Sequence, residues 1–149
     1  MQSRRDVTVG ILATCLVAPA SRPSAASPDL LLHDGVAMGG YDSVAYWTAS
    51  KATHGQAAFS FEWRRANWTF ASAANRDAFA ATPEKYAPAF NGYCTYCLAD
   101  HKLVPGLGEF WSVSNEKLYL QSTARARDAF AAKADYYVRR AAAYWATLP

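Results

Sequence analysis

Two short runs of alternating aromatic and polar residues constrain the fold of this 149-residue chain most strongly. Residues 59–63 are Phe-Ser-Phe-Glu-Trp, and residues 68–70 are Trp-Thr-Phe, so every second side chain is aromatic. This period of two is typical of a strand with one buried face. The polar residues 64–67 between the two runs favour a turn. The pattern therefore predicts a β-hairpin.

A second hairpin and one further strand are predicted from shorter patterns. Residues 110–113 and 118–121 flank Asn115-Glu116, an arrangement typical of two paired strands. Residues 43–47 are rich in aromatic and β-branched side chains and predict a short strand. The sequence predicts no internal repeat, and no linker is long enough to divide the chain.

Helical spacing and capping residues predict the rest of the fold. Ser72 is a typical N-cap residue for a helix that ends before Pro83. Helices are expected over residues 72–81, 83–86, 93–102 and from 123 almost to the C-terminus. The last helix has an apolar stripe at three- and four-residue spacing, formed by Phe130, Ala134, Tyr137, Ala141, Trp145 and Leu148. The expected class is α+β, with a small antiparallel sheet of two hairpins, several helices and a long C-terminal helix.

The N-terminal segment has the features of an export signal. Arg4-Arg5 precede a weakly apolar run over residues 7–20, which is too short to span a bilayer. We expect residues 1–26 to be a signal peptide of the twin-arginine type, with an ordinary secretory signal as the alternative. Cys15 could mark a lipoprotein, but the residue before it is larger than is usual there. The pattern predicts a periplasmic or secreted bacterial protein with one domain over residues 27–149.

The charge of the remaining chain excludes several classes of partner. Loss of residues 1–26 reduces the 15 basic and 12 acidic residues to 12 and 11. A nearly neutral domain without a basic stripe is poorly suited to nucleic acid or to an anionic membrane surface. No further apolar run could span a bilayer, so no stable membrane insertion is expected after cleavage. A metal ion or a small ligand is the expected partner.

Cys94 and Cys97 form a C-x-x-C pair, and they are the only cysteines after the predicted signal peptide. The pair could be a thiol–disulfide site at the start of a helix, where the first thiol is activated. It could instead supply two soft thiolates to a metal ion. A structural disulfide, or two small buried residues, is the third interpretation. The spacing alone leaves all three open.

His101 is a candidate third metal ligand. A helix over residues 93–102 would place Cys94, Cys97 and His101 on one face, at i, i+3 and i+7. A solvated histidine near a helix end is the alternative. Two thiolates satisfy Cu(I), whereas tetrahedral Zn(II) needs two further ligands. No motif typical of a nucleophile–base enzyme is present in the sequence, so no catalytic residue is predicted.

Seven short segments occur in an order that is typical of one protein family. They are residues 40–47, 68–72, 75–79, 83–88, 91–96, 111 and 117–120. The first, Gly-Tyr-Asp-Ser-Val-Ala-Tyr-Trp, resembles the Gly-Tyr-Asp-Pro-Val-Ala-Tyr opening of exported YHS-domain proteins. The fifth, Asn-Gly-Tyr-Cys-Thr-Tyr, resembles the family's Gly-Gly-Tyr-Cys-Ala-Tyr segment. The resemblance extends from about Gly40 to the C-terminus and implies a YHS-like domain over residues 27–149.

The resemblance implies a small treble-clef-like module that is associated with heavy metals, copper above all. The positions of the presumed ligands in short metal-linked members correspond here to Ala45, Ala71 and Asn75, which bind soft metals poorly. Cys94 matches a cysteine of the exported members, and Cys97 is an addition.

These patterns together predict an exported YHS-like protein that binds a thiophilic metal in metal homeostasis. Cu(I) is the first expectation, bound through Cys94 and Cys97 with His101 as a possible third ligand.

Two other functions stay open. One is a thiol–disulfide role for the same cysteine pair. The other is a module that binds a non-metal ligand or a protein through an aromatic surface around Tyr41, Tyr46, Trp47 and Tyr93. Of the residues in this region, Tyr41, Asp42 and Tyr93 are the candidate ligand-binding residues.

Overall fold

A computed structural model describes residues 28–149, and these residues form an α+β fold, which confirms the predicted class. The strands are β1 (Leu32–His33), β2 (Val36–Ala37), β3 (Gln56–Trp63), β4 (Ala66–Phe70), β5 (Leu107–Ser114) and β6 (Lys117–Gln121). The helices are α1 (Ala45–Thr48), α2 (Ala73–Ala81), α3 (Pro83–Tyr86), α4 (Thr95–Leu98), α5 (Ala124–Ala132) and α6 (Ala134–Trp145). The predicted signal peptide and Cys15 lie outside the described residues.

Both predicted hairpins are confirmed. Strands β3 and β4 pair antiparallel, as do β5 and β6. The two residues at each turn, Arg64-Arg65 and Asn115-Glu116, all have positive φ, which is the requirement of a type I′ turn. The first hairpin belongs to a mixed sheet of order β1-β2-β4-β3, in which β2 and β4 pair in parallel. The second hairpin is a separate two-stranded sheet.

Helix α2 covers the first hairpin through one aromatic side chain. Ser72 caps the helix as predicted, because its hydroxyl accepts the backbone N–H of Asn75. Phe79 is fully buried, and its ring lies 4.7 Å from that of Trp68 and 5.1 Å from that of Phe70. The rings of Phe61 and Trp63 pack edge-on against Phe79. The alternating aromatic face of the hairpin therefore forms the core against this helix.

The predicted strand over residues 43–47 is wrong, because these residues lie at the start of the helical turn α1. The buried Asp42 carboxylate precedes the turn, and its Oδ1 accepts the N–H groups of Val44 (2.8 Å) and Ala45 (3.1 Å). These donors are among those that a helix leaves unpaired at its N-terminus. Its Oδ2 accepts the N–H of Ala71 (2.8 Å) and Asn75 Nδ2 (2.6 Å). The carboxylate therefore outweighs strand propensity here and fixes α1 to the junction of β4 and α2.

The C-terminal segment consists of two helices and not of one continuous helix. Lys133 leaves the helical region, with φ −147° and ψ 49°, between α5 and α6. Helix α5 packs on β5 and β6, whereas α6 packs on α4. Phe130 and Ala141 of the predicted stripe are fully buried, one in each helix, and Tyr137 and Trp145 are partly exposed. The stripe is thus divided between two packing surfaces.

The structure contains an internal repeat, which corrects the prediction that the chain has none. Strands β3 and β5, strands β4 and β6, and helices α2 and α5 are equivalent pairs, each separated by 51 residues. Residues 76–81 and 127–132 have the same sequence, Arg-Asp-Ala-Phe-Ala-Ala. We call residues 36–86 the first module and residues 88–137 the second module.

The loops of the two modules repeat as well. The N–H of Gly55 donates to the carbonyl of Gly40 (2.8 Å), and the N–H of Gly106 donates to the carbonyl of Gly92 (3.0 Å). A Cβ at Gly55 or Gly106 would collide with backbone atoms, so both positions require glycine. The one-turn helix that follows Gly40 is α1, and the one that follows Gly92 is α4. The repeat therefore covers the loops as well as the hairpin and its helix.

Replacement of Asp42 by Asn tests the role of the carboxylate in the first module. The amide keeps one acceptor oxygen and turns an N–H₂ group toward backbone donors, so the free energy of unfolding should fall by about 3 kcal/mol. Chemical denaturation measures the change. The matched control is Asp34→Asn, because Asp34 is exposed at positive φ, where Asn is well tolerated. A loss below about 1 kcal/mol for Asp42→Asn would contradict the anchoring role.

Candidate functional site

Cys94 and Cys97 are joined by a disulfide at the N-terminus of helix α4. Their Cα atoms are 5.3 Å apart, a distance that disulfides commonly bridge. Cys94 is the N-cap residue and is fully buried, whereas Cys97 is partly exposed. The N–H of Cys97 donates to Cys94 Sγ at 3.2 Å. The two cysteines therefore differ in the exposure of the residue and in the hydrogen bonds of the sulfur.

The end of strand β6 supplies two polar side chains to the site. Ser122 Oγ lies 3.3 Å from Cys97 Sγ, and its hydroxyl is the donor because a disulfide sulfur carries no proton. Gln121 is fully buried, and its Oε1 accepts the N–H of Tyr96 at 3.2 Å. Gln121 Nε2 and Thr95 Oγ1 are buried with no hydrogen-bond partner within residues 28–149. Two polar groups without partners are therefore found at the site. One directly follows Cys94 in the chain, and the other is at the end of β6.

The tyrosines next to the cysteines in the chain pack against helix α6. The Tyr96 ring lies 5.0 Å from that of Tyr137, and the Tyr93 ring lies 5.9 Å from that of Trp145. Partial burial raises the pKa of the Tyr137 phenol, with smaller contributions from neighbours that include Tyr96. Since the ordinary value is already about 10, this phenol stays neutral at physiological pH. The ring therefore contributes apolar contact and no charge.

The predicted helix over residues 93–102 is wrong in its second half, because α4 ends at Leu98. His101 therefore does not share a helical face with the cysteines. Helix α4 ends after one turn, where the N–H of His101 donates to Leu98 and the N–H of Lys102 donates to Cys97. With φ +58° at His101, these bonds form a Schellman motif, which ends a helix. The exposed His101 ring stacks on Tyr144 at 4.7 Å. Within the described part of the chain, no group of three or more His, Cys, Asp or Glu could hold a metal ion.

The three predicted ligand-binding residues have different surroundings. The Tyr41 ring stacks on His54 at 4.1 Å, and Tyr93 packs on Trp145. The Asp42 carboxylate accepts four hydrogen bonds and is an anchor in the sense that it fixes α1 to the junction of β4 and α2. Tyr41 follows Gly40 in the first module, and Tyr93 follows Gly92 in the second. The structure therefore assigns the two tyrosines to equivalent positions of different modules.

The other aromatic residues of the predicted surface lie mainly inside the protein. Tyr46 is buried and its hydroxyl donates to the carbonyl of Gly108 at 2.6 Å. Burial is the main cause that raises the pKa of this phenol far above its ordinary value. Trp47 packs edge-on against Tyr86 in the first module. Tyr46 thus connects the modules, because Gly108 belongs to the second hairpin.

Ser122 and Gln121 are the site residues that the sequence patterns did not identify. Neither forms part of a recognisable motif, and both are ordinary residues at the end of a strand. The repeat is the signal that could have found them. A shift of 51 residues aligns Ser122 with Ala71, whose N–H donates to the Asp42 anchor of the first module.

Comparisons of the chain with protein-family models, with curated proteins and with solved structures found no match. The YHS resemblance therefore stays a prediction. None of the helices in residues 28–149 combines the length and the apolar character that crossing a bilayer requires.

Peptide mapping checks the disulfide directly. Trypsin should release residues 86–102 as one peptide that contains both cysteines, because Lys85 and Lys102 precede the two cleavage points. Without reduction, this peptide should resist alkylation and have the mass of the dithiol less two hydrogens. After reduction it should take up two alkyl groups. Two alkyl groups before reduction would show that the thiols are free.

Proposed function

We propose that this chain is an exported YHS-like protein in which Cys94 and Cys97 form a reversible thiol–disulfide site. The observation that carries the proposal is the bonded pair itself, with one buried and one partly exposed cysteine. Exposure matters because thiol–disulfide exchange requires that a thiolate reach one of the sulfurs. The N-terminal arginine pair and the ordered family-like segments support export and the YHS-like assignment.

The disulfide is poorly placed to act as a stabilising cross-link. In the chain-entropy model, a disulfide that closes a loop of four residues contributes only about 2 kcal/mol, less than one across a long loop. The fold also has an aromatic core of its own around Phe79 and Trp68. A domain of this size does not depend on a cross-link to stay folded. Reactivity is therefore a better explanation of the pair than stability.

The exchange reaction needs a thiol as its co-reactant. Two thiols of a small molecule or a protein would be oxidised to one disulfide, while the Cys94–Cys97 bond would be reduced to two thiols. The reverse reaction would oxidise a partner dithiol. Ser122 would then donate its hydrogen bond to a Cys97 thiolate, which favours the charged form.

A redox titration tests this function. Full-length chain with Cys15→Ser is equilibrated in glutathione buffers of stepped composition, and the reduced fraction is measured by alkylation and mass. The pair should titrate with a reduction potential above about −300 mV, because deeply stable structural disulfides lie below that value. The double variant Cys94→Ser/Cys97→Ser is the control and should show no change in mass. A potential below that limit would identify a static cross-link.

Cu(I) binding by the reduced pair is the second candidate function. The observation in its favour is that both sulfurs lie on the same side of one helical turn, close enough to bond. Two thiolates satisfy low-coordinate Cu(I), but they leave Zn(II) two ligands short. Binding would require the reduced state, since only thiolates are ligands. A role in metal homeostasis would follow from this chemistry.

Metal competition distinguishes this candidate from exchange alone. Reduced protein with Cys15→Ser should bind about one equivalent of Cu(I) against a chromophoric chelator, and far more tightly than Zn(II). Cys94→Ser or Cys97→Ser should each abolish tight binding. His101→Ala should leave the affinity unchanged, because His101 stacks on Tyr144 beyond the helix end. Equal affinity of the double cysteine variant would rule out the pair as the metal site.

A further inference from the structure

Cys94 lies in the second module where the buried carboxylate of Asp42 lies in the first. Each residue follows a Gly-Tyr pair and precedes the one-turn helix of its module. The N–H of Asp42 donates to the carbonyl of Thr53 (2.8 Å), and the N–H of Cys94 donates to the carbonyl of Val104 (2.9 Å). Both side chains are fully buried. The two positions are therefore equivalent in backbone and in burial.

In the first module this position holds a carboxylate. Asp42 Oδ1 accepts the N–H groups of Val44 and Ala45, at the start of α1. The equivalent donors in the second module are the N–H groups of Tyr96 and Cys97. The Tyr96 group is taken by Gln121, and the Cys97 group donates to Cys94 Sγ. The helical turn α4 thus directs a backbone N–H at Cys94 Sγ, as α1 directs two at Asp42 Oδ1. A hydrogen bond from such a donor favours the charged form of the acceptor.

Cys97 is the more exposed of the two cysteines. Cys97 is equivalent to Ala45 of the first module and is partly exposed, in contrast to the fully buried Cys94. Its sulfur accepts the hydroxyl of Ser122, a side chain that can rotate away. Of the two cysteines, Cys97 is therefore the one that is exposed to an incoming thiolate.

We propose that the disulfide has a fixed direction of opening, in which Cys97 is the attacked sulfur and Cys94 is the leaving thiolate. This inference rests on the proposed exchange function. A thiolate of a small molecule or a protein attacks Cys97 Sγ and forms a mixed disulfide with it. The Cys94–Cys97 bond breaks, and its electron pair stays on Cys94 Sγ, which the N–H of Cys97 stabilises. A second thiolate then attacks the partner sulfur, which releases the partner disulfide and the Cys97 thiolate.

Trapping of the first intermediate tests the direction in a chain that keeps both Cys94 and Cys97. Oxidised full-length chain with Cys15→Ser is mixed briefly with reduced glutathione, quenched with acid, and digested. Fragmentation of the peptide over residues 86–102 then locates the attached glutathione. It should be on Cys97. Glutathione found mainly on Cys94 would overturn the proposed direction.

Single-cysteine variants provide a second measurement that does not depend on exchange. In the Cys15→Ser background, Cys94→Ala leaves only Cys97, and Cys97→Ala leaves only Cys94. Iodoacetamide should alkylate Cys97 faster than Cys94 by at least about tenfold in the folded chains, because alkylation needs an accessible thiolate. Rates in denaturant should be equal. A faster reaction at Cys94 in the folded state would contradict the proposal.

The two measurements separate this inference from the function on which it rests. If glutathione does not open the disulfide, the proposed exchange function fails, and the alkylation rates still decide which cysteine is the reachable one. If glutathione opens it through Cys94, exchange stands and the direction is wrong. Near-ultraviolet circular dichroism shows whether each variant keeps the native packing, and the trapping experiment uses neither cysteine variant.

Discussion

The buried carboxylate of Asp42 is the contact on which the arrangement of the first module depends. It joins the start of α1 to the junction of β4 and α2 through four hydrogen bonds. A buried carboxylate is costly unless its oxygens are fully paired, so these donors must all be held in place. The module therefore has its loop, its hairpin and its helix fixed at one point.

The second module has a disulfide at the position where the first module has the Asp42 carboxylate. The disulfide replaces the carboxylate, and Ser122 provides a contact where Ala71 provides its backbone N–H in the first module. Asn75, which binds Asp42, is replaced by Ala126 at the equivalent position, so the second anchor has fewer hydrogen bonds. A covalent disulfide is thus located where the other module has a hydrogen-bonded carboxylate.

The sequence predicts the elements of this fold better than the site. Alternation of aromatic residues identified the first hairpin, the segments that flank Asn115-Glu116 identified the second, and the Ser72 cap identified α2. These signals are local. The strand predicted over residues 43–47 failed because Asp42 has partners about thirty residues away, which no local pattern contains. The helix predicted to include His101 failed because histidine occupies the left-handed capping position that glycine usually marks. Ser122 was missed because only its alignment with Ala71 in the repeat indicates that it lies at the site.

The hydrogen bond between Tyr46 and Gly108 has a consequence for the folding pathway. Each hairpin and its capped helix are consecutive in the chain, so most contacts within a module have low contact order and should form early. The Tyr46 phenol instead contacts the other module across a sequence separation of 62 residues. Loop-closure entropy makes such a contact a late one. Docking of the modules, through this phenol and through the core that Leu118 and Leu120 share with Trp68, would then turn two locally folded halves into one cooperative unit.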